Sequence, residues 1–321
     1  MTSENKNPAI LISSASFDDG ELARIETVGE TIHAATAEDR AALPEEVRRK
    51  VRAIANKGHR PIDGAQMDLF PNLEIISQFG VGYDAIDVAA ATERGIRVTN
   101  TPDVLNEDVA DLALAMMLAW SREIVRGDAW VREGTWASGR ELPLNRKMSG
   151  ATVGIAGMGR IGRAIADRCA AFGMKVHYTS RSAKDTPADW TYHGENVVAL
   201  ADAVEWLVVA VVGGEKTKGY VSKEAISAVG PRGVVINIAR GTCIDEEALI
   251  AALEAGEIAG AGLDVFYNEP NVDPRLIALP NVLLQPHQAS STVETRRDMS
   301  IAQCANLTAY FEGTPLPTPV N

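Results

Sequence analysis

The sequence predicts an α/β protein built from two Rossmann-like or flavodoxin-like parallel-sheet domains with an active-site cleft between them. Three observations carry this. Short, continuously apolar runs alternate with helix-like stretches nearly throughout, the pattern of parallel strands covered on both faces. The alternation restarts at Thr152 after an irregular segment. A length of 321 residues is too long for one ordinary core and about right for two.

In the first part, Ala9–Ala15, Val51–Ala55, Leu73–Phe79 and Ile96–Asn100 read as buried strands. Helical stretches near Gly20–Val28, Ile62–Leu69 and Ile86–Arg94 lie beside them. Asn106–Arg126 reads as one long helix, capped by Asn106 or Asp108. Gly127–Gly150, which carries Trp130 and Trp136, interrupts the alternation and reads as an arm. From Thr152 the strands are Thr152–Ala156, Lys175–Thr179, Trp206–Val212, Val234–Ala239, Ala261–Val265 and Val282–Gln285. Helices fit Arg160–Phe172, Lys223–Ala228 and Glu246–Ala255, and an amphipathic helix over Thr292–Phe311 precedes the proline-rich PLPTPVN.

Composition narrows the function. Hydrophobic residues at 46% and charged residues at 23% are the mix of an ordinary globular protein. A net charge of −12 argues against a nucleic-acid or anionic-membrane partner, because a footprint on phosphates needs a basic face. It leaves room for an anionic substrate, since a few arginines dominate a small cleft. The start, MTSENKNPAI, is polar and carries no secretory pattern, and no apolar run is long enough to span a membrane, so a cytoplasmic location is expected. Cys169, Cys243 and Cys304 form no CxxC pair and no metal-ligand spacing with the five histidines. They read as reduced thiols, and no metal is expected.

Gly157-Met158-Gly159-Arg160-Ile161-Gly162 is a GxGxxG that follows a strand, opens a helix and precedes a second strand. That is the context in which such glycines let backbone amides approach a pyrophosphate on a helix N-terminus. The second strand ends Tyr178-Thr179-Ser180-Arg181-Ser182-Ala183-Lys184, with no acid before Asp185. A site for NAD places an acid there for the ribose hydroxyls. Hydroxyls, an arginine and a lysine suit a 2′-phosphate instead, so Ser180, Arg181 and Ser182 point to NADPH, with NADH as the weaker alternative.

Three further segments place a reactive residue at the carboxyl end of a strand: Arg240 in NIARG, Glu269 in DVFYNEP and His287 in QPH. Those ends line the ligand crevice of an open parallel sheet. Carbonyl reduction calls for such a set. A cation holds the carboxylate and polarises the ketone, an imidazole gives its proton to the developing alkoxide, and a carboxylate keeps that imidazole oriented.

With these residues in view, the chain resembles the D-isomer-specific 2-hydroxyacid dehydrogenases along essentially its whole length. The matching stretches are FGVGYDAID (79–87), GIRVTNTP (95–102), DVADLA (108–113), GMGRIG, NIARGT, GLDVFYNEP and QPH. DVADLA, the Ser-Arg-Ser and the late PLPTPV look closest to the glyoxylate/hydroxypyruvate reductases. The resemblance implies Arg240 as substrate anchor, Glu269 as partner acid and His287 as general acid/base. It implies that the amides of Val81 and Gly82 bind the substrate carboxylate. Asp264 would lie near the nicotinamide, with Val211, Val212, Thr217, Ile238, Ala239 and Ala289 on the cofactor side. Two positions depart from the family pattern, which often has proline at Val212 and glycine at Ala289.

The resemblance also implies a substrate domain of residues 1–100 plus 288–321 and a dinucleotide domain of 101–287, closing on each other by hinge motion. It implies a homodimer formed through Asn106–Arg126 and the arm, with Trp136 either near the neighbour's substrate pocket or packed in its own subunit. Two other readings stay open. One is an NAD-dependent dehydrogenase of another D-2-hydroxy acid or of 3-phosphoglycerate. The other, from a different class, is a dinucleotide-sensing binding protein like the dehydrogenase-like corepressors, which share the fold.

Overall fold

The computed structural model describes residues 8–321, and the polar start read above as lacking a secretory pattern lies outside the described residues. The chain divides into two compact units: residues up to Leu105 together with Ser291–Asn321, and Asn106–Ser290. Both boundaries fall a few residues beyond those expected, for local reasons. Thr101 exchanges bonds with Gly80, its N–H donating to Gly80 O at 2.9 Å and its Oγ1 accepting the Gly80 N–H at 2.9 Å. Gln288 and Ala289 donate their amides to Asp264 in the second unit.

The first unit is a five-stranded parallel sheet of β1 (Ala9–Ile12), β2 (Glu30–His33), β3 (Val51–Lys57), β4 (Ile75–Phe79) and β5 (Arg97–Thr99), in the order β2-β1-β3-β4-β5. Leu11, Ile54, Ile76 and Val98 face its core, with Met67, Phe70 and Ile86 covering them. The helix Asp19–Glu26 starts on a capping box between Asp18 and Glu21. The helix Val293–Glu312 differs from its expected amphipathic character. Its buried residues include Thr295, Ser300, Gln303 and Asn306. Hydrogen bonds share the buried face with Met299, Leu307 and Ala309: Gln303 Nε2 donates to Ser77 O at 2.7 Å and Asn56 O at 3.1 Å, and Asn306 Oδ1 accepts the Thr318 N–H at 3.1 Å.

The second unit is a seven-stranded parallel sheet of β6 (Thr152–Ala156), β7 (Lys175–Thr179), β8 (Thr191–Tyr192), β9 (Trp206–Val209), β10 (Val234–Asn237), β11 (Gly260–Leu263) and β12 (Val282–Leu284). Its order is β12-β11-β10-β9-β6-β7-β8. The winding reverses between β6 and β9, and ligands bind outside the carboxyl ends at such a reversal. Leu207, Val209, Val235 and Leu263 form the core. Trp206 is fully buried and meets Trp120 edge to face at 5.7 Å.

The expected single helix over 106–126 is two. Asn106–Ser121 ends, Glu123 takes a left-handed φ of 46°, and Ile124–Arg132 begins. The arm therefore opens with a helical segment and adds a short 3-10 turn at Trp136–Ser138. Trp136 at 66% and Leu144 at 102% are exposed, whereas Trp130 and Leu142 are half-buried and Met148 is buried. No helix among the described residues is long and apolar enough to cross a membrane. Cys169, Cys243 and Cys304 form no disulfide, and burial pushes the Cys169 thiol up to about 12.

Candidate active site

Three glycines shape the turn after β6. Gly157 has a φ of +107°, and a Cβ there would stand 2.8 Å from the backbone of Ala210 and Val211, the segment leaving β9. A Cβ on Gly162 would stand 2.0 Å from Gly157 O, so helix and strand meet only because it is absent. Gly159 is different: its backbone is extended and a Cβ would meet nothing within 4 Å. The protein's own packing gives no reason for glycine there, whereas a pyrophosphate drawn close to the backbone does. No side chain caps the helix Arg160–Ala171 that starts here, which suits an anion at its N-terminus. Met158 is buried beneath the turn, and Arg160 and Ile161 form its first helical residues.

At the end of β7, Thr179 turns inward. Its carbonyl accepts the amides of Gly157 (3.2 Å) and Met158 (3.1 Å), and its Oγ1 accepts the Tyr220 hydroxyl at 3.1 Å. The loop beyond it is closed by Ser180 Oγ donating to Ser182 O at 2.5 Å and by Tyr192 Oη donating to Ser180 O at 2.9 Å. Arg163 pins the far side of this loop, bonding Asp185 O at 2.8 Å and lying 5.0 Å over the Trp190 ring. Arg181 and Ser182 are exposed at the tip. Of the three residues expected to read a 2′-phosphate, Ser180 thus spends its proton inside the loop, and the other two side chains project from it.

The residues expected to be catalytic sit where the strands end. The expected strands ran on through Val212, Ala239, Val265 and Gln285, and each overrun is the loop that builds the site. After β9, Val211 is half-buried and Val212 69% exposed, while Thr217 Oγ1 donates to Val212 O at 2.6 Å and fixes the turn. A Cβ on Gly213 would stand 2.5 Å from Arg240 Cγ, so this loop lies against the arginine. After β10, the fully buried Asn237 accepts the Ala239 N–H at 3.0 Å and donates to Arg240 O at 2.9 Å. Ile238 and Ala239 are buried, and Arg240 is half-buried.

After β11, Glu269 accepts the Phe266 N–H through Oε1 (3.0 Å) and bonds His287 Nδ1 through Oε2 (2.8 Å). His287 therefore donates through Nδ1 to the Glu269 carboxylate. Its φ of +54° is left-handed, a conformation that costs a non-glycine residue about 1–3 kcal/mol unless its surroundings hold it. They do. The His287 N–H donates to Asp264 O at 2.8 Å, and the Asp264 carboxylate accepts the next two amides, Gln288 at 2.7 Å and Ala289 at 3.0 Å. Asp264 is fully buried, and that burial raises its carboxyl above its ordinary value against the pull of the two amides. Implied by resemblance to lie near a nicotinamide, it serves here to hold the histidine loop.

In the first unit, Val81 and Gly82 lie in the loop after β4. Asn100 Nδ2 donates to Val81 O at 2.8 Å, and Thr101 holds Gly80 as described, so the loop is braced from the end of β5. Sequence reasoning named neither Asn100, Thr101, Asn237 nor Tyr220 for a role. A polar residue closing a buried apolar strand was the available signal for Asn237. Tyr220 had none.

The family model for the NAD-binding domain of D-isomer-specific 2-hydroxyacid dehydrogenases matches residues 114–289. The chain is 47% identical to a hydroxyphenylpyruvate reductase of Plectranthus scutellarioides over 84% of its own length and 85% of that protein's. It is 46% identical to glyoxylate/hydroxypyruvate reductase A of Arabidopsis thaliana, covering 89% and 90%. The crystal structure of an NADPH-dependent glyoxylate/hydroxypyruvate reductase from Sinorhizobium meliloti, in complex with NADP and malonate, superposes with a TM-score of 0.92 at 44% identity, covering 98% and 97%.

Proposed function

Because the chain belongs to the D-isomer-specific 2-hydroxyacid dehydrogenases, we propose that this oxidoreductase is an NADPH-dependent reductase of small 2-keto acids. Its substrates are glyoxylate and hydroxypyruvate, reduced to glycolate and D-glycerate. The observation that carries the reading is the His287–Glu269 pair at 2.8 Å, fixed at the carboxyl edge of a dinucleotide-type sheet. The second unit holds the dinucleotide, with the Gly157–Ile161 turn on the pyrophosphate and Arg181 and Ser182 on the 2′-phosphate. The first unit receives the substrate.

The chemistry follows from the residue types. Arg240 pairs with the substrate carboxylate and draws electron density from the keto oxygen, and the amides of Val81 and Gly82 share the carboxylate. When bound, the reduced nicotinamide supplies a hydride to the keto carbon. Protonated His287 gives its Nε2 proton to the alkoxide that forms, while Glu269 holds the ring through Nδ1. The imidazole then recovers a proton from solvent. The working form is a homodimer formed through the arm.

Arg181 tests the cofactor assignment. Hydrogen bonds to a charged group contribute about 1.5–3 kcal/mol, so Arg181→Ala should weaken NADPH by roughly ten- to a hundredfold. NADH, which has no phosphate there, should change little. A wild type that already favours NADH, or equal weakening of both cofactors, overturns the assignment.

A bulkier 2-keto acid is the second reading, favoured by the similarity to a hydroxyphenylpyruvate reductase. A substrate panel scored by kcat/KM separates the two.

A further inference from the structure

Thr179 occupies the strand-end position from which a side chain would ordinarily reach the ribose of a dinucleotide. In this chain it is wholly inaccessible. Its carbonyl is committed to the Gly157 and Met158 amides and its hydroxyl oxygen to Tyr220. Tyr220 in turn is held in place. Its N–H donates to Thr217 O at 3.1 Å, and its neighbours Gly219 and Val221 donate to Thr242 O (2.8 Å) and Cys243 O (2.9 Å). Its hydroxyl lies 3.4 Å from Glu195 O as well. A rigid turn thus delivers a phenol to the side chain at the end of β7.

We propose that Tyr220 is a positioning residue for cofactor discrimination: it takes up the side chain at position 179 and withdraws it from the dinucleotide, leaving the ribose to be read by the loop Ser180–Ser182 alone. This rests on the reading that the second unit binds a nicotinamide dinucleotide.

The consequence is specific. An aspartate placed at 179 would meet the Tyr220 hydroxyl, a donor already aimed at that side chain, before it met a ribose. A charged hydrogen bond of that kind is strong enough to keep the carboxylate turned inward. The acid would then neither grip the 2′-hydroxyl of NADH nor face a 2′-phosphate squarely. Removing the phenol oxygen frees the carboxylate to turn toward the cofactor, so the two substitutions are coupled.

Four forms test this: wild type, Thr179→Asp, Tyr220→Phe and the double variant, each measured for Kd by fluorescence titration and for kcat/KM, with NADH and with NADPH. Thr179→Asp alone should change NADH use by less than about threefold, and the double variant should raise it by about tenfold or more. KM for the keto acid and kcat at saturating cofactor should stay near wild type in all four. Equal NADH gains in Thr179→Asp and in the double variant overturn the proposal. Should Thr179→Asp fail to fold, Tyr220→Phe decides by itself. Freeing the Thr179 hydroxyl should lower the NADPH/NADH preference ratio by about twofold or more, and an unchanged ratio overturns it. A wild type that favours NADH would remove the NADPH assignment and still leave the coupling between positions 179 and 220 measurable.

Discussion

At the scale of single residues, His287 is defined by what surrounds it. A left-handed backbone, one ring nitrogen on Glu269 and three successive amides folded onto Asp264 leave it one orientation. Loss of a general acid typically lowers kcat by about 10²–10⁴, and His287→Ala should fall in that range while cofactor affinity, measured by fluorescence titration, stays near wild type. Near-normal turnover would remove the assignment. The placement of Arg240, Glu269 and His287 beyond the carboxyl ends of strands was legible in the sequence because each follows an apolar run. The partners of Asp264 were not, because a carboxylate bonded to two backbone amides leaves no trace in residue type.

Among the elements, the glycine turn separates two demands that look alike in sequence. Gly162→Ala forces a methyl against Gly157 O, and such overpacking costs about 1–3 kcal/mol, only part of it offset by alanine's better helix propensity. Gly159→Ala meets no protein atom and should leave stability within about 0.5 kcal/mol. Under the proposed function it should weaken NADPH by about tenfold or more, because the methyl would stand on the backbone assigned to the pyrophosphate. Thermal melting together with cofactor titration distinguishes them; normal NADPH binding by Gly159→Ala would refute that role. Long apolar strands and the longer helices were readable; the short helices Ala37–Ala42, Val197–Asp202 and Pro274–Ala278 were not, although side chains cap all three. β2 was not, since its residues Glu30–His33 are half-buried or exposed and include a charge. Nor was β8, two residues long and exposed, whose place depends on pairing with β7. The break at Glu123 escaped periodicity because apolar residues continue on both sides of it.

For the molecule as a whole, the arm and the helix Ile124–Arg132 that leads into it expose apolar side chains that water does not favour. Ile124, Val125, Val131, Trp136 and Leu144 are all more than half exposed. Apolar residues gathered on one segment mark an association surface, and a second copy of this chain is the occupant proposed. Sedimentation at micromolar concentration should show a dimer, and Trp136→Ala together with Leu144→Ser should shift it toward monomer. A wild-type monomer would sink this assembly.

The first sheet also has a history imposed by chain order. Its strands precede the whole second unit, yet the helix Val293–Glu312, which satisfies Ser77 and Asn56 through Gln303, follows it, as does Val320, whose N–H bonds Val98 O at 2.8 Å. During synthesis on a ribosome, the contiguous second unit can acquire its full set of bonds first. The earlier-made sheet must wait with one face uncovered until residues translated much later return to it. The segment up to Leu105 is therefore the portion of the nascent chain left longest without its full set of bonds.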